Sequence, residues 1–422
     1  MIITIIIMIV CVIFLFYARE HFGRWFTPFC VFNILWIVVA SFILIGNPYV
    51  YEPSAKSQLC ILIGIVGFNI SMLSRRLTIG RFGHIDREYT FNYTVLKCLS
   101  VIVVIAYLFV TYSLINSLFS GASFAEIRTD YFTYSEASNF SYYLRNYFLV
   151  PMGYVIMIST IIVFFSDKGG KSKLLLLNTI MIVVMQAIVS GGRYILMNTF
   201  FAIMCVYFMI GKRLYIKKRY KLLIFLVCVL LGYFIVFLTN DRSTYLMTNM
   251  SIWEKMYTTV YIYFSGSVTY LGEVIKTSPE IIGASLGLNF FAGFISPVFV
   301  ILNFMHILSY PEVFNIIGEY ACTQLVIGPY SYFNAMPTAF GYFYIDGGLI
   351  LTFIEAWIFG YICKSLYNRS KKGNVFYVAL FTLIFIQVCN SSTRWFLYAP
   401  DYALAFLYMR LLVKKERGVS SI

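Results

Sequence analysis

The sequence predicts an all-α, polytopic helical membrane protein, and three observations predict it. First, 60% of its 422 residues are hydrophobic and only 12% are charged, with a mean hydropathy of +0.82. A water-soluble chain of this length needs far more polar surface to cover its core. Second, apolar runs of roughly 17–22 residues recur, the length a helix needs to cross about 30 Å of hydrocarbon. Third, Lys and Arg gather in alternate connections, the bias that orients helices in a membrane. The net charge of +14 is therefore read as membrane orientation and contact with membrane lipids, and no nucleic-acid partner is expected.

In chain order the spans read 1–17, 27–46, 58–73, 92–115, 146–165, 174–190, 194–211, 222–239, 345–364, 375–390 and 397–413. The first, MIITIIIMIVCVIFLFY, has neither a basic n-region nor a small-residue cleavage site, so it reads as a retained span. With the N-terminus outside, the inner connections hold AREHFGR, SRRLTIGRFGHIDRE, SDKGGKSK, KRLYIKKRYK, NRSKKGN and the tail KKERGVSSI. Counting Lys97, Lys364 and Arg410 with them, 24 of the 32 basic residues lie inside. The opposite orientation inverts that skew. The expectation is about 11 transmembrane helices, N-terminus out and C-terminus in, with residues 1–422 forming a single integral membrane domain.

Two long connections then lie outside. Residues 116–145 form an external loop rich in Tyr and Ser. Residues 240–344 form a larger one, in which IIGASLGLNFFAGFISPVFVILNFMHIL runs for 28 residues without an acid, Lys or Arg. Gly, Ser and Pro interruptions there favour short interfacial or re-entrant helices. Sidedness also permits a pair of spans, near 256–275 and 286–308. Of the nine cysteines, eight sit in or beside apolar runs and pack as small apolar groups, and Cys322 has no partner in its loop. No disulfide framework, metal or cofactor is expected.

Eight basic residues remain outside: Lys56, Arg128, Arg145, Arg193, Arg242, Lys255, Lys276 and Arg394. Arg145, Arg193 and Arg394 stand at or just before the outward N-termini of spans. A helix N-terminus offers free N–H groups and partial positive charge, so a cation there is unfavourable until an anion joins it. Backbone amides and a guanidinium fork grip the same phosphate oxygens. Gly191 and Gly192, ahead of Arg193, leave room for close approach. These arginines are accordingly read as anion-binding. The alternative is that they snorkel to headgroups or pair with acids such as Asp241, Glu136 or Asp401.

Several chemistries lack their residues. There is no D-x-D, no H-E-x-x-H and no Walker loop, which argues against a nucleotide-sugar donor and a protein-bound metal. A glycosyl donor on a membrane diphosphate lipid suits the arrangement, because arginines can stabilise the departing diphosphate. The acceptor hydroxyl then needs a base. External candidates are Asp241, Glu254, Glu273, Glu319 and His306, with Asp346 at the outer mouth of its span. Glu355, near mid-membrane, is read as structural or gating. External aromatics such as YTTVYIYFSGSVTY serve either as interfacial belts or as platforms for sugar rings.

The stretches SGGRYILM, YIYFSGSVTYLGEVIKTSPEIIGASLGL and NAMPTAFGYFYIDGGLILTFIEAWIFG together carry a likeness to a family. The chain resembles the bacterial oligosaccharide repeat-unit polymerases of the Wzy type, which build O-antigen and capsule chains. The resemblance implies a glycosyltransferase of the bacterial cytoplasmic membrane. It would move a growing glycan from undecaprenyl diphosphate onto a new lipid-linked repeat unit at the outer face. It also implies external arginines that engage anionic substrate, carried here to Arg193, Arg242 and Arg394, with Arg128 and Arg145 as further binding candidates. The catalytic candidates are Asp241, Glu273, His306 and Asp346. Expected partners are undecaprenyl-diphosphate-linked oligosaccharides, a chain-length regulator and a flippase. The rival readings are a lipid-linked oligosaccharide flippase and an O-antigen ligase.

Overall fold

The computed structural model describes residues 1–74, 89–121, 140–166, 172–190, 194–210, 251–316, 324–329, 331–333 and 337–415. Of the predicted spans, 222–239 lies outside the described residues, as do Arg128, Arg193, Asp241, Arg242 and Glu319.

The described chain is a bundle of helices: α1 Ile2–Phe22, α2 Pro28–Ile45, α3 Ala55–Ile70, α4 Tyr93–Phe119, α5 Phe140–Phe165, α6 Lys173–Ser190 and α7 Tyr194–Ile210. After them come α8 (252–277), α9 Asn289–Phe304, α10 Thr338–Ser370, α11 Val375–Cys389 and α12 Pro400–Tyr408. Among the described residues, six helices are long and apolar enough to cross a membrane: α1, α2, α4, α5, α10, and α3 with its continuation to Leu73. Among the described residues there are also two short strand pairs, one long-range and one a hairpin. β1 (Tyr89–Phe91) pairs antiparallel with β4 (Val413–Lys415), and β2 (Leu325–Gly328) with β3 (Ser331–Phe333).

Local chemistry sets the helix ends. Thr27 accepts from the Cys30 N–H and Pro28 follows at the first helical position, which starts α2. Ser251 and Glu254 form a reciprocal capping box at the start of α8. α1 stops at Gly23, whose φ of 68° is left-handed.

The predicted span 397–413 is not one helix. α12 has nine residues, opened by Pro400, and the chain then tightens into a 3₁₀ turn before β4 pairs with β1. The 116–145 connection is shorter than read, since α4 runs to Phe119 and α5 begins at Phe140. Within 240–344, helices occur near both positions of the paired alternative, as α8 and α9.

The bundle exposes apolar side chains and sets polar groups within a mainly apolar core. Phe109, Ile13 and Ile350 are largely exposed, whereas Asn33, Asn69 and Asn198 are fully buried. α3 and α10 pack most closely: a Cβ on Gly67 would lie 2.6 Å from the Phe353 carbonyl oxygen, so only glycine fits there. Between α2 and α3, Asn33 Nδ2 donates to Asn69 Oδ1 at 2.8 Å and Asn69 Nδ2 returns a bond at 3.0 Å. Asn33→Ala strands one buried amide and is expected to cost about 1–3 kcal/mol. The double Asn33→Leu/Asn69→Leu variant should cost less than Asn33→Ala alone, because neither amide is left unpaired. Thermal unfolding in detergent reads the difference.

Candidate functional site

After a first α turn at Phe140–Tyr143, α5 passes through a π turn at Leu144–Leu149, which carries Arg145. The cause lies one turn further on. Pro151 has no N–H to give the Tyr147 carbonyl four residues earlier, and the Tyr408 hydroxyl of α12 donates to that oxygen instead, at 2.7 Å. The sequence thus forces α5 to borrow a donor, and the borrowing ties α12 to the turn that holds Arg145. Arg145 is 9% exposed. Its Nε donates to Asn146 Oδ1 at 3.4 Å, and its guanidinium lies 5.7 Å from the Tyr142 ring centre.

Arg394 comes from the connection between α11 and α12. Gln387 clamps that connection: its Nε2 donates to the Arg394 carbonyl at 2.9 Å, and its Oε1 accepts from the Phe396 N–H at 2.6 Å. Trp395 next door is fully buried and donates Nε1–H to the Phe290 carbonyl at 2.9 Å. With its neighbours fixed, the Arg394 guanidinium sits 4.5 Å over the Phe396 ring. Tyr194, where α7 begins, meets the same Phe396 ring edge-on at 6.2 Å. Asn390 Nδ2 donates to Asn198 Oδ1 at 2.9 Å, which brings α7 against the same connection.

The segments that carry the two arginines flank one acid. The charges of Arg394 and, more weakly, of Arg145 reach Asp401 in the first turn of α12, second to burial among the influences on its carboxyl. Asp401 lines a cavity of about 480 Å³ together with Tyr142, Asn146, Tyr147, Ser296, Tyr310 and Tyr398. Burial pushes the Tyr310 hydroxyl above the ordinary phenol range, so it faces the cavity as a neutral group. By liquid volume the space holds on the order of 16 water-sized groups, enough for a sugar ring and its neighbours. One acid and four phenols line the cavity, and Arg145 and Arg394 stand in the segments that border it. Such a site can hold an anionic group beside a polar ring compound.

Of the sequence candidates within the described residues, Arg145 and Arg394 stand in the segments bordering the Asp401 cavity, and the others lie elsewhere. Glu273 forms a surface ion pair with Lys276 at 3.6 Å, an i,i+3 contact on α8 with the lysine 76% exposed. His306 is exposed, just past the end of α9, with a left-handed φ of 57°. Asp346 is fully buried. Its two oxygens accept from the backbone N–H groups of Asn289, at 3.1 Å, and Phe290, at 2.8 Å, so it caps the N-terminus of α9.

Two features went unread in the sequence. Asp401 entered only as a pairing partner for arginines, although a Pro-Asp step opening an outer helix end could have flagged it. The stretch GASLG (283–287) matches the G-x-S-x-G pattern of serine nucleophile elbows. Here no strand leads into it. Ser285 is buried, bonds to Asp346, and receives the Asn289 side-chain amide, so its hydroxyl is committed to packing. Among the described residues no three His, Cys, Asp or Glu side chains gather as a metal site. Comparison of the chain with protein-family models, with curated proteins and with solved structures finds no match.

Proposed function

We propose that this chain is a multi-pass glycosyltransferase of the bacterial cytoplasmic membrane, with about eleven crossings, N-terminus out and C-terminus in. It polymerises lipid-linked oligosaccharide repeat units at the outer face. The observation that carries the reading is a tyrosine-lined cavity holding Asp401, an acid that the charges of Arg394 and Arg145 both reach. In the reaction, an acceptor hydroxyl attacks the anomeric carbon of the carrier-bound glycan. The bond to undecaprenyl diphosphate breaks, and the diphosphate leaves with the electron pair. The arginines stabilise that departing charge, Asp401 takes the hydroxyl proton, and the phenols flank the acceptor ring.

Contacts within the bundle fit the alternating sidedness, and the positive-inside bias sets which side is out. Arg145 and Arg394 share one end, as an even number of crossings between them requires. Lys364 donates to the Met72 and Ser74 carbonyls, and β1 pairs with β4, so residues all read as cytoplasmic also share an end. The test is extension of a synthetic diphosphate-lipid repeat unit by purified protein. Products of several units are expected; a folded wild type that never exceeds one unit overturns the reading. The rivals have their own signatures in cells. Loss of a flippase removes even single-unit display, and loss of a ligase leaves long chains on the carrier lipid.

A further inference from the structure

The break in α10 gathers a second polar cluster, none of whose residues lines the tyrosine-lined cavity. α10 has 33 residues and leaves helical geometry at Gly347 and Gly348, the latter at φ 62°. Asp346, just before the break, and Glu355, two turns beyond it and only 4% exposed, are in hydrogen-bonding contact. The chain facing them supplies Asn289, fully buried, and Gly287, where a Cβ would lie 3.5 Å from Glu355 Oε1.

The two acids are supported unequally. Asp346 has two backbone N–H donors, the Ser285 hydroxyl and the N-terminus of α9. Glu355 has none of these, and among the described residues Asp346 is the one ionisable group that acts on it. Two oxygens of the cluster, Glu355 Oε2 and Asn289 Oδ1, are buried with no hydrogen-bond partner among the described residues.

Two touching carboxyls in a dry bundle need at least one added positive charge. A proton would supply it, yet as one O–H with one acceptor it serves two oxygens at most and leaves the remaining buried oxygens of the cluster at their desolvation cost. An oxygen-seeking cation serves all of them, since carboxylate and amide oxygens are hard ligands. Discontinuous membrane helices are where such ions are held. The charge count sets the valence: the amides and helix terminus already meet Asp346, which leaves one carboxylate to neutralise. We propose that Glu355, Asp346 and Asn289 form a binding site for a monovalent alkali cation, sodium in particular.

The test uses the full-length protein in detergent at constant ionic strength, with thermal unfolding followed in sodium, potassium and choline chlorides. The expected result is a Tm that rises saturably with sodium, as linkage to a ligand of the folded state requires. Potassium should act weakly and choline not at all, and Glu355→Gln should lose the response. Radiolabelled sodium bound to the wild type gives an answer that needs no variant: one saturable, displaceable site is expected. A Tm blind to cation identity together with no saturable sodium binding overturns the proposal and leaves the pair holding a proton. A sodium response undiminished in folded Glu355→Gln places the ion elsewhere and overturns it too. Should that variant not fold, the wild-type binding measurement decides.

Discussion

Asp346→Ala is expected to destabilise the protein by about 2–6 kcal/mol, because it strips partners from two buried backbone N–H groups at about 1–3 kcal/mol each. The donors are those of Asn289 and Phe290, at 3.1 and 2.8 Å. They open α9, whose unsatisfied N-terminus gains further from a carboxylate than from any neutral group. Part of the loss is returned, since Glu355 is freed from a like-charged neighbour. Asp346→Asn should fall between wild type and Ala: its carbonyl oxygen still accepts one N–H, while its amide nitrogen faces the other donor. Against a total stability of about 5–15 kcal/mol this is a large fraction. Denaturant titration in mixed micelles measures it. An Asp346→Ala protein as stable as wild type would show that the cap does not hold the α9 turn.

That role was out of reach of the sequence, and the reason is physical. The length of a span is dictated locally, by the hydrocarbon a helix must cross, so α1 to α7, α10 and α11 stand where apolar runs predict them. Asp346 looked like a base at the mouth of a span because its partners lie 57 and 56 residues away. Nothing in DGG announces a distant helix end. Pro151 shows an intermediate case: proline tells a reader that the Tyr147 carbonyl needs another donor, but not that Tyr408, 261 residues on, provides it. The arginines read as external were legible singly, through a sidedness bias that works against them. Their common influence on Asp401 depends on α5 and α12 packing side by side, which no periodicity encodes.

Arg394→Ala is expected to slow extension of the lipid-linked repeat unit by about 10²–10³-fold, the usual cost of removing one donor aimed at developing charge. In the proposed reaction, negative charge accumulates on the departing diphosphate, and Arg394 and Arg145 are the cations proposed to meet it. Stability alone does not account for such a drop. The guanidinium lies 4.5 Å over the Phe396 ring, a contact worth about 0.5–2 kcal/mol, and its backbone stays clamped by Gln387 in the variant. The rate loss corresponds to about 2.7–4 kcal/mol in the transition state, so a folded, monodisperse Arg394→Ala sample separates the two effects. Arg394→Lys should recover only part of the rate, because an ammonium keeps the charge but loses the planar fork that grips two phosphate oxygens. Lys276→Ala, removing an external cation that is 76% exposed in its pair with Glu273, should leave the rate unchanged, since solvent-exposed pairs contribute little. If Arg394→Ala and Lys276→Ala extend the lipid-linked unit equally well, the guanidinium has no part in the departure of the diphosphate.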